Sequence, residues 1–172
     1  MEGALQIDED PALGVAVLAT TARSLFADSG AAEAVAASVS SRIRDWKYAS
    51  GPWFTPLDPL GPELAGISRG RLLEDADSDQ ASHHFALDEH GRVSIERAIV
   101  NHNSMRCTYY DFESSPCIAL HFSETRDGNF RKLERAHAFY MGPYGIRLSV
   151  GYGSSRVESV VEVEADDQLK IH

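Results

Sequence analysis

Residues 105–123 read MRCTYYDF (105–112), ESSP (113–116) and CIALHFS (117–123). Two runs of β-branched, aromatic and aliphatic residues alternate with polar ones, and a proline-containing turn divides them. Alternation with period two is the mark of strands, and an even-length loop fixes which residues share a face. One face then carries Cys107, Tyr109, Ile118, Leu120 and Phe122. The other carries Arg106, Thr108, Tyr110, His121 and Ser123. The first reads as core and the second as a polar surface.

Outward from this hairpin the same period continues. Strands are expected over 82–87, 92–100, 130–141, 146–152, 156–164 and 168–171, with 105–112 and 117–123 between them. Turn residues separate them at hairpin spacing: Asp88 to Gly91, Asn101 to Ser104, Asp127 to Asn129, Gly142 to Gly145, Gly153 to Ser155, and Asp166-Asp167. Two points stay open. Residues 130–141 also suit a helix capped by Asn129, through Phe130, Leu133, His137 and Met141. An even loop at His102-Asn103 would place Val93, Ile95 and Ile99 on the polar face, and a three-residue loop with a bulge would place them on the core face. For the hairpin 146–163, a turn at Gly153-Ser154 sets Ile146, Leu148 and Val150 beside Val157, Val161 and Val163. Arg147, Ser149, Glu158, Val160, Glu162 and Glu164 then lie outside.

Before residue 82 the pattern is helical. Asp8-Glu9-Asp10-Pro11 is a start signal. Val15, Leu18, Ala22, Leu25 and Phe26 then fall on one face, up to a stop at Asp28-Ser29-Gly30. A second helix is expected over Ala31 to Tyr48, with Val35, Val39, Ile43 and Trp46 as its stripe. Residues 51–81 are rich in proline and glycine and read as an irregular connection, pinned by Trp53, Phe54 and Leu57. A short helix over Glu63 to Leu73 fits within it. The expected fold is therefore one α+β domain over 1–172: a helical part (1–50), the connection (51–81), and an antiparallel β part (82–172). The N-terminal helices would pack on a meander-like sheet or partly closed barrel.

The chain has 172 residues, 26 acids, 16 bases and a net charge of -10. That field repels phosphate backbones and anionic lipid, so neither nucleic acid nor membrane is the expected partner. The first ten residues lack the basic and apolar regions of a signal peptide, and no apolar run is long enough to span a bilayer, which makes the cytoplasm the expected location. Composition sets no oligomeric state.

Motifs that carry chemistry fail on context. Gly66-Ile67-Ser68-Arg69-Gly70 matches G-x-S-x-G, but a nucleophile elbow needs a buried strand before it, and Pro59 to Glu63 is not one. Asp75-x-Asp77-x-Asp79 starts like a calcium loop, yet Gln80 and Ala86 occupy the positions that need glycine and glutamate. The seven histidines form no H-x-x-x-H pair. Cys107 and Cys117 lack C-x-x-C spacing and an activating base. Gly151-x-Gly153 sits at a hairpin, not before a helix. No metal and no cofactor are expected.

Two functional readings follow. In the first, the acidic stretches around Asp75, Asp77 and Asp79, and around Glu158, Glu162 and Glu164, engage a protein with a basic surface, as an inhibitor or neutralising partner would. The chain resembles small acidic immunity proteins in size and charge, a likeness without a shared motif. In the second, the polar sheet face of Arg106, Thr108, Tyr110 and His121, with His102 or Asp111 adjacent, binds a small ligand or performs acid–base chemistry.

Overall fold

The computed structural model describes residues 11–57, 66–74, 80–142, 145–153, 160–163 and 169–171. Two helices, α1 (Pro11–Ala27) and α2 (Ser29–Ser41), precede ten strands. The strands are β1 (Ile43–Ala49), β2 (Leu72–Leu73), β3 (His83–Asp88), β4 (Val93–Ile99) and β5 (Ser104–Asp111). They continue with β6 (Cys117–Thr125), β7 (Arg131–Gly142), β8 (Gly145–Gly153), β9 (Val160–Val163) and β10 (Leu169–Ile171). They form one antiparallel sheet in the order β10-β9-β8-β7-β6-β5-β4-β3-β1-β2. The two ends of that order are not paired with each other, so the sheet is an open meander. No described helix is long and apolar enough to cross a membrane.

Asp28 serves both helices. It ends α1, and its carboxylate accepts from the Ala31 backbone N–H at 3.0 Å to cap α2. Leu18 and Ala22 of α1 pack on Ala138, Tyr140, Leu148 and Val150 of β7 and β8. Ala32, Ala36 and Val39 of α2 join Ile95, Cys107, Tyr109, Leu120 and Phe122. Both helices thus lie on one face of the sheet, called the first face below.

The second helix is shorter than its stripe predicts. It stops at Ser41, and the chain runs through Arg42 directly into β1. The Arg42 guanidinium holds Asp111 at 2.6 Å across this junction. The register of β1 on β3 shifts between Ile43 and Asp45, a bulge at Arg44. The bulge turns Ile43 and Trp46 to the same face although three residues separate them. A strand with that defect imitates the helical period.

The strand over 130–141 has the same device. Its register on β6 shifts between His121 and Phe122, so Leu133 and Ala136 both reach the helix-bearing core. It is strand throughout, not helix.

Residues 52–55 and 67–71 carry no regular structure, and the short helix placed over Glu63 to Leu73 is not formed where described, since Leu72–Leu73 pairs with β1. Trp53 packs edge-on against Phe85 at 5.7 Å and Leu57 joins Tyr110 and Phe139, but Phe54 is exposed. The two limbs of the connection cross where Gly70 meets Gly51. A Cβ on Gly70 would fall 2.4 Å from the Gly51 backbone N and O. Backbone cannot yield as a side chain tip can, so Gly70→Ala is expected to part the limbs and speed proteolytic cleavage within 51–73 at least severalfold. Unchanged cleavage would show that the crossing is not tight.

The β8–β9 pairing corrects one expected face. Leu148 opposes Glu162, and Val150 opposes Val160, so the register is displaced from the one a Gly153-Ser154 turn would set. Val161 opposes Ser149 instead of sharing the Leu148 face.

Candidate functional site

The face away from the helices, here the second face, is built by register. Phe85, Glu96, Thr108, His121, Arg135 and Gly153 are successive Cα partners across β3 to β8. The adjacent row is Tyr110, Ala119, His137 and Gly151. The next is Cys117, Phe139 and Ser149. Six strands therefore bring a polar patch together, with Phe85, Phe139 and Phe112 as its apolar borders.

The hairpin of 105–123 has the expected register, with Tyr109 opposite Leu120 and Thr108 opposite His121. Arg106, Thr108, Tyr110 and His121 consequently share the second face. Arg106 is exposed at its rim, Thr108 is half-buried, and Tyr110 is buried. Thr108 Oγ1 lies 3.0 Å from His121 Nδ1. The other ring nitrogen of His121, Nε2, is enclosed without a hydrogen-bond partner among the described residues, as is Nδ1 of His137. The two rings meet edge to face, centroids 5.0 Å apart.

Burial holds both imidazoles neutral. It pushes His121 down to about 3, with His137 and Arg135 adding to the effect. It pushes His137 down to about 4, again helped by Arg135. Burial acts oppositely on Glu96, raising it to about 7 even though the Tyr110 hydroxyl donates to its carboxylate. Near neutrality the centre of this face therefore presents two uncharged imidazoles and a carboxyl group between its two forms. A neutral imidazole has one donor and one acceptor. Whichever tautomer His121 adopts, its Nε2 function is unmet among the described residues. An unmet buried polar group costs about 1–3 kcal/mol.

His137 owes its position to a neighbour without a side chain. It opposes Gly151, and a Cβ there would lie 2.5 Å from the ring's Cε1.

Glu96, Arg135 and His137 were not among the residues singled out from sequence. The signal for Glu96 is the loop Asn101 to Asn103. Asn101 accepts from the backbone N–H groups of Asn103 and Ser104, and Val100 pairs with Ser104. That is the three-residue alternative, and it sets Ile95 and Ile99 opposite Tyr109 and Met105 on the first face. Glu96 then faces Tyr110. Val93 departs from its neighbours because the β3–β4 register shifts, and it packs with Phe85 and Ala49. The signal for His137 was the strand reading of 130–141.

Two expected neighbours are elsewhere. His102 is exposed in the loop. Asp111 lies at the helix junction, where burial opposes its charge but Arg42 and Ser114 hold it below the ordinary value. Cys107 is fully buried in the core as expected, and burial pushes its thiol up to about 12, with Glu124 adding to the effect.

Of the acidic binding residues, Asp75, Asp77, Asp79, Glu158 and Glu164 lie outside the described residues. Glu162 is in β9, opposite Leu148 and Lys170. Among the described residues no group of three or more His, Cys, Asp or Glu is placed to hold a metal ion. Comparison with known protein families, with curated proteins and with solved structures finds no match to this chain.

Proposed function

We propose that the protein binds a small organic molecule on the second face of its sheet. The observation that carries this reading is the pair of enclosed, unmet imidazole nitrogens beside the Tyr110–Glu96 hydrogen bond. The ligand is a compact polar compound. It accepts from or donates to His121 Nε2 and His137 Nδ1, and lays a flat apolar part against Phe139 and Phe112. A further argument is burial. Phe85, Tyr110 and Phe139 are 0%, 1% and 0% exposed on a face that carries neither helix. Among the described residues of the connection, Trp53 and Leu57 reach it. A sheet that curls toward this face, as a partly closed barrel does, buries its lining in that manner.

The same groups suit proton transfer, since a carboxyl titrating near 7 beside a neutral imidazole is a matched acid–base pair. The net charge of -10 is what supports the rival reading, a basic protein partner.

Nitrogen-15 NMR of the histidine rings tests the proposal against a panel of neutral amides, heterocycles and short carboxylic acids. A binder is expected to move the His121 and His137 ring signals together and to lose about tenfold in affinity in Tyr110→Phe or His121→Ala. If every compound leaves both rings unmoved while a basic protein forms a stoichiometric complex, the ligand reading fails.

A further inference from the structure

The first face has an end that the helices leave free. There Tyr48, His84, Arg97 and Cys107 are successive partners across β1, β3, β4 and β5. Ala86 in the neighbouring row is small, and Arg97 reaches across β3 to lay its guanidinium over the Trp46 ring, 4.5 Å from the centroid. The His84 ring meets Tyr48 edge-on at 5.0 Å. Trp46, Tyr48, His84 and Arg97 are half-buried and so reachable from solvent, while Cys107 is fully buried. Arg97 Nε and His84 Nε2 are nonetheless enclosed without hydrogen-bond partners among the described residues.

Among the described residues the charge here is uncompensated. Arg42, Arg92 and Arg131 each hold carboxylates. Arg97 has no such partner among the described residues. Its opposite residue is Cys107, whose thiol stays protonated. Glu124, on the same face, is taken by Arg131 at 2.9 Å and by the Tyr109 hydroxyl at 3.3 Å. Arg126, whose charge also bears on His84, forms no ion pair among the described residues. A chain with 26 acids and 16 bases has carboxylates to spare, yet among the described residues none is placed against these two arginines. A half-buried guanidinium stacked on indole, with an empty fork, is the chemistry of planar anion recognition.

We propose that Arg97, Arg126 and His84, walled by Trp46 and Tyr48, form a second binding site for a small aromatic anion. It would take an aromatic carboxylate or phosphate monoester, independently of the ligand on the other face. The anionic group sits between Arg97 and Arg126, His84 donates through Nε2, and the ring of the ligand lies against Trp46 and Tyr48.

The chain has two tryptophans, so Trp53→Phe leaves Trp46 as the sole indole reporter. Benzoate, phenyl phosphate and inorganic phosphate are titrated against that variant by fluorescence. Saturable change of Trp46 emission is expected with benzoate or phenyl phosphate, and weaker binding with inorganic phosphate. Arg126→Gln, an exposed change, should weaken binding about tenfold with an unaltered circular dichroism spectrum, and Arg97→Gln should abolish it. If Trp53→Phe does not fold, calorimetry on the unaltered protein and on Arg126→Gln gives the same comparison. No saturable binding of any probe, or binding unaffected by both arginine variants, overturns the site. Equal affinity for inorganic and phenyl phosphate overturns the role of the aromatic walls.

Discussion

Acidification from pH 6.5 to 4.5 is expected to destabilise the protein by at least about 1 kcal/mol per pH unit. The unfolded histidines take up protons at about 6.5, whereas His121 and His137 in the folded chain refuse them until about 3 and 4. Their depressed values mean that the folded state loses ground as pH falls through 6.5. Glu96 has the opposite sign. It keeps its proton up to about 7 when folded and releases it near 4.5 when unfolded, so its contribution grows as pH falls from 7 to 4.5. Two histidines against one carboxyl leave the unfolded state one proton richer. His83 and His84, lowered chiefly by burial, add in the histidine direction. Below 4.5 the carboxyl no longer offsets, but His137 takes up its own proton at about 4, so the slope levels and then falls. Urea midpoints at pH 7, 6, 5 and 4.5, at constant ionic strength, measure it. Glu96→Gln should steepen the dependence, and His121→Gln with His137→Gln should flatten it. Opposite responses from residues on one face are the signature of this arrangement. A Glu96→Gln slope shallower than the unaltered protein's would sink the assignment.

The sequence was most legible where the ladder is regular. Between 105 and 123 the two strands pair without a bulge, so alternation and an even-length loop placed Cys107 in the core and Tyr110 with His121 on the opposite face. It was least legible where a bulge intervenes. At Arg44 and again in β7, one extra residue converts a spacing of two into a spacing of three. Ile43 with Trp46 then reads as helix although both are strand, and it led to an overlong second helix. Over 130–141 the helical spacing of Phe130, Leu133, His137 and Met141 competed with the strand that forms. The acid–base character of the patch was hidden for a related reason. Glu96 becomes a site residue only once the loop at Asn101 is known to hold three residues. A loop one residue shorter would have turned it toward the helices. The polar patch is thus a product of registers that composition and periodicity do not encode.

Gly151→Ala isolates one of those registers, and its expected effect is a loss of roughly 2 kcal/mol or more. Taken alone, the exchange should help. Gly151 does not need the left-handed backbone region, and alanine in a strand is favoured over glycine by about 0.5–1 kcal/mol. The sign therefore rests on the His137 ring. The new methyl would lie 2.5 Å from its Cε1 and 2.9 Å from both nitrogens, closer than any real contact. The ring is 9% exposed and abuts His121, so it has little room to retreat. Moving it separates the two unmet nitrogens that define the site. Stability should fall, and the coupled ring signals of His121 and His137 should separate. His137→Ala removes the obstacle, so Gly151→Ala in that background should be neutral or stabilising. The double-mutant cycle should then give a coupling of a few kcal/mol, within the range for residues in direct contact, about 0.5–3 kcal/mol. Additive effects would mean that the imidazole does not rest on Gly151. They would remove the geometric basis for a site at which the two histidines act together.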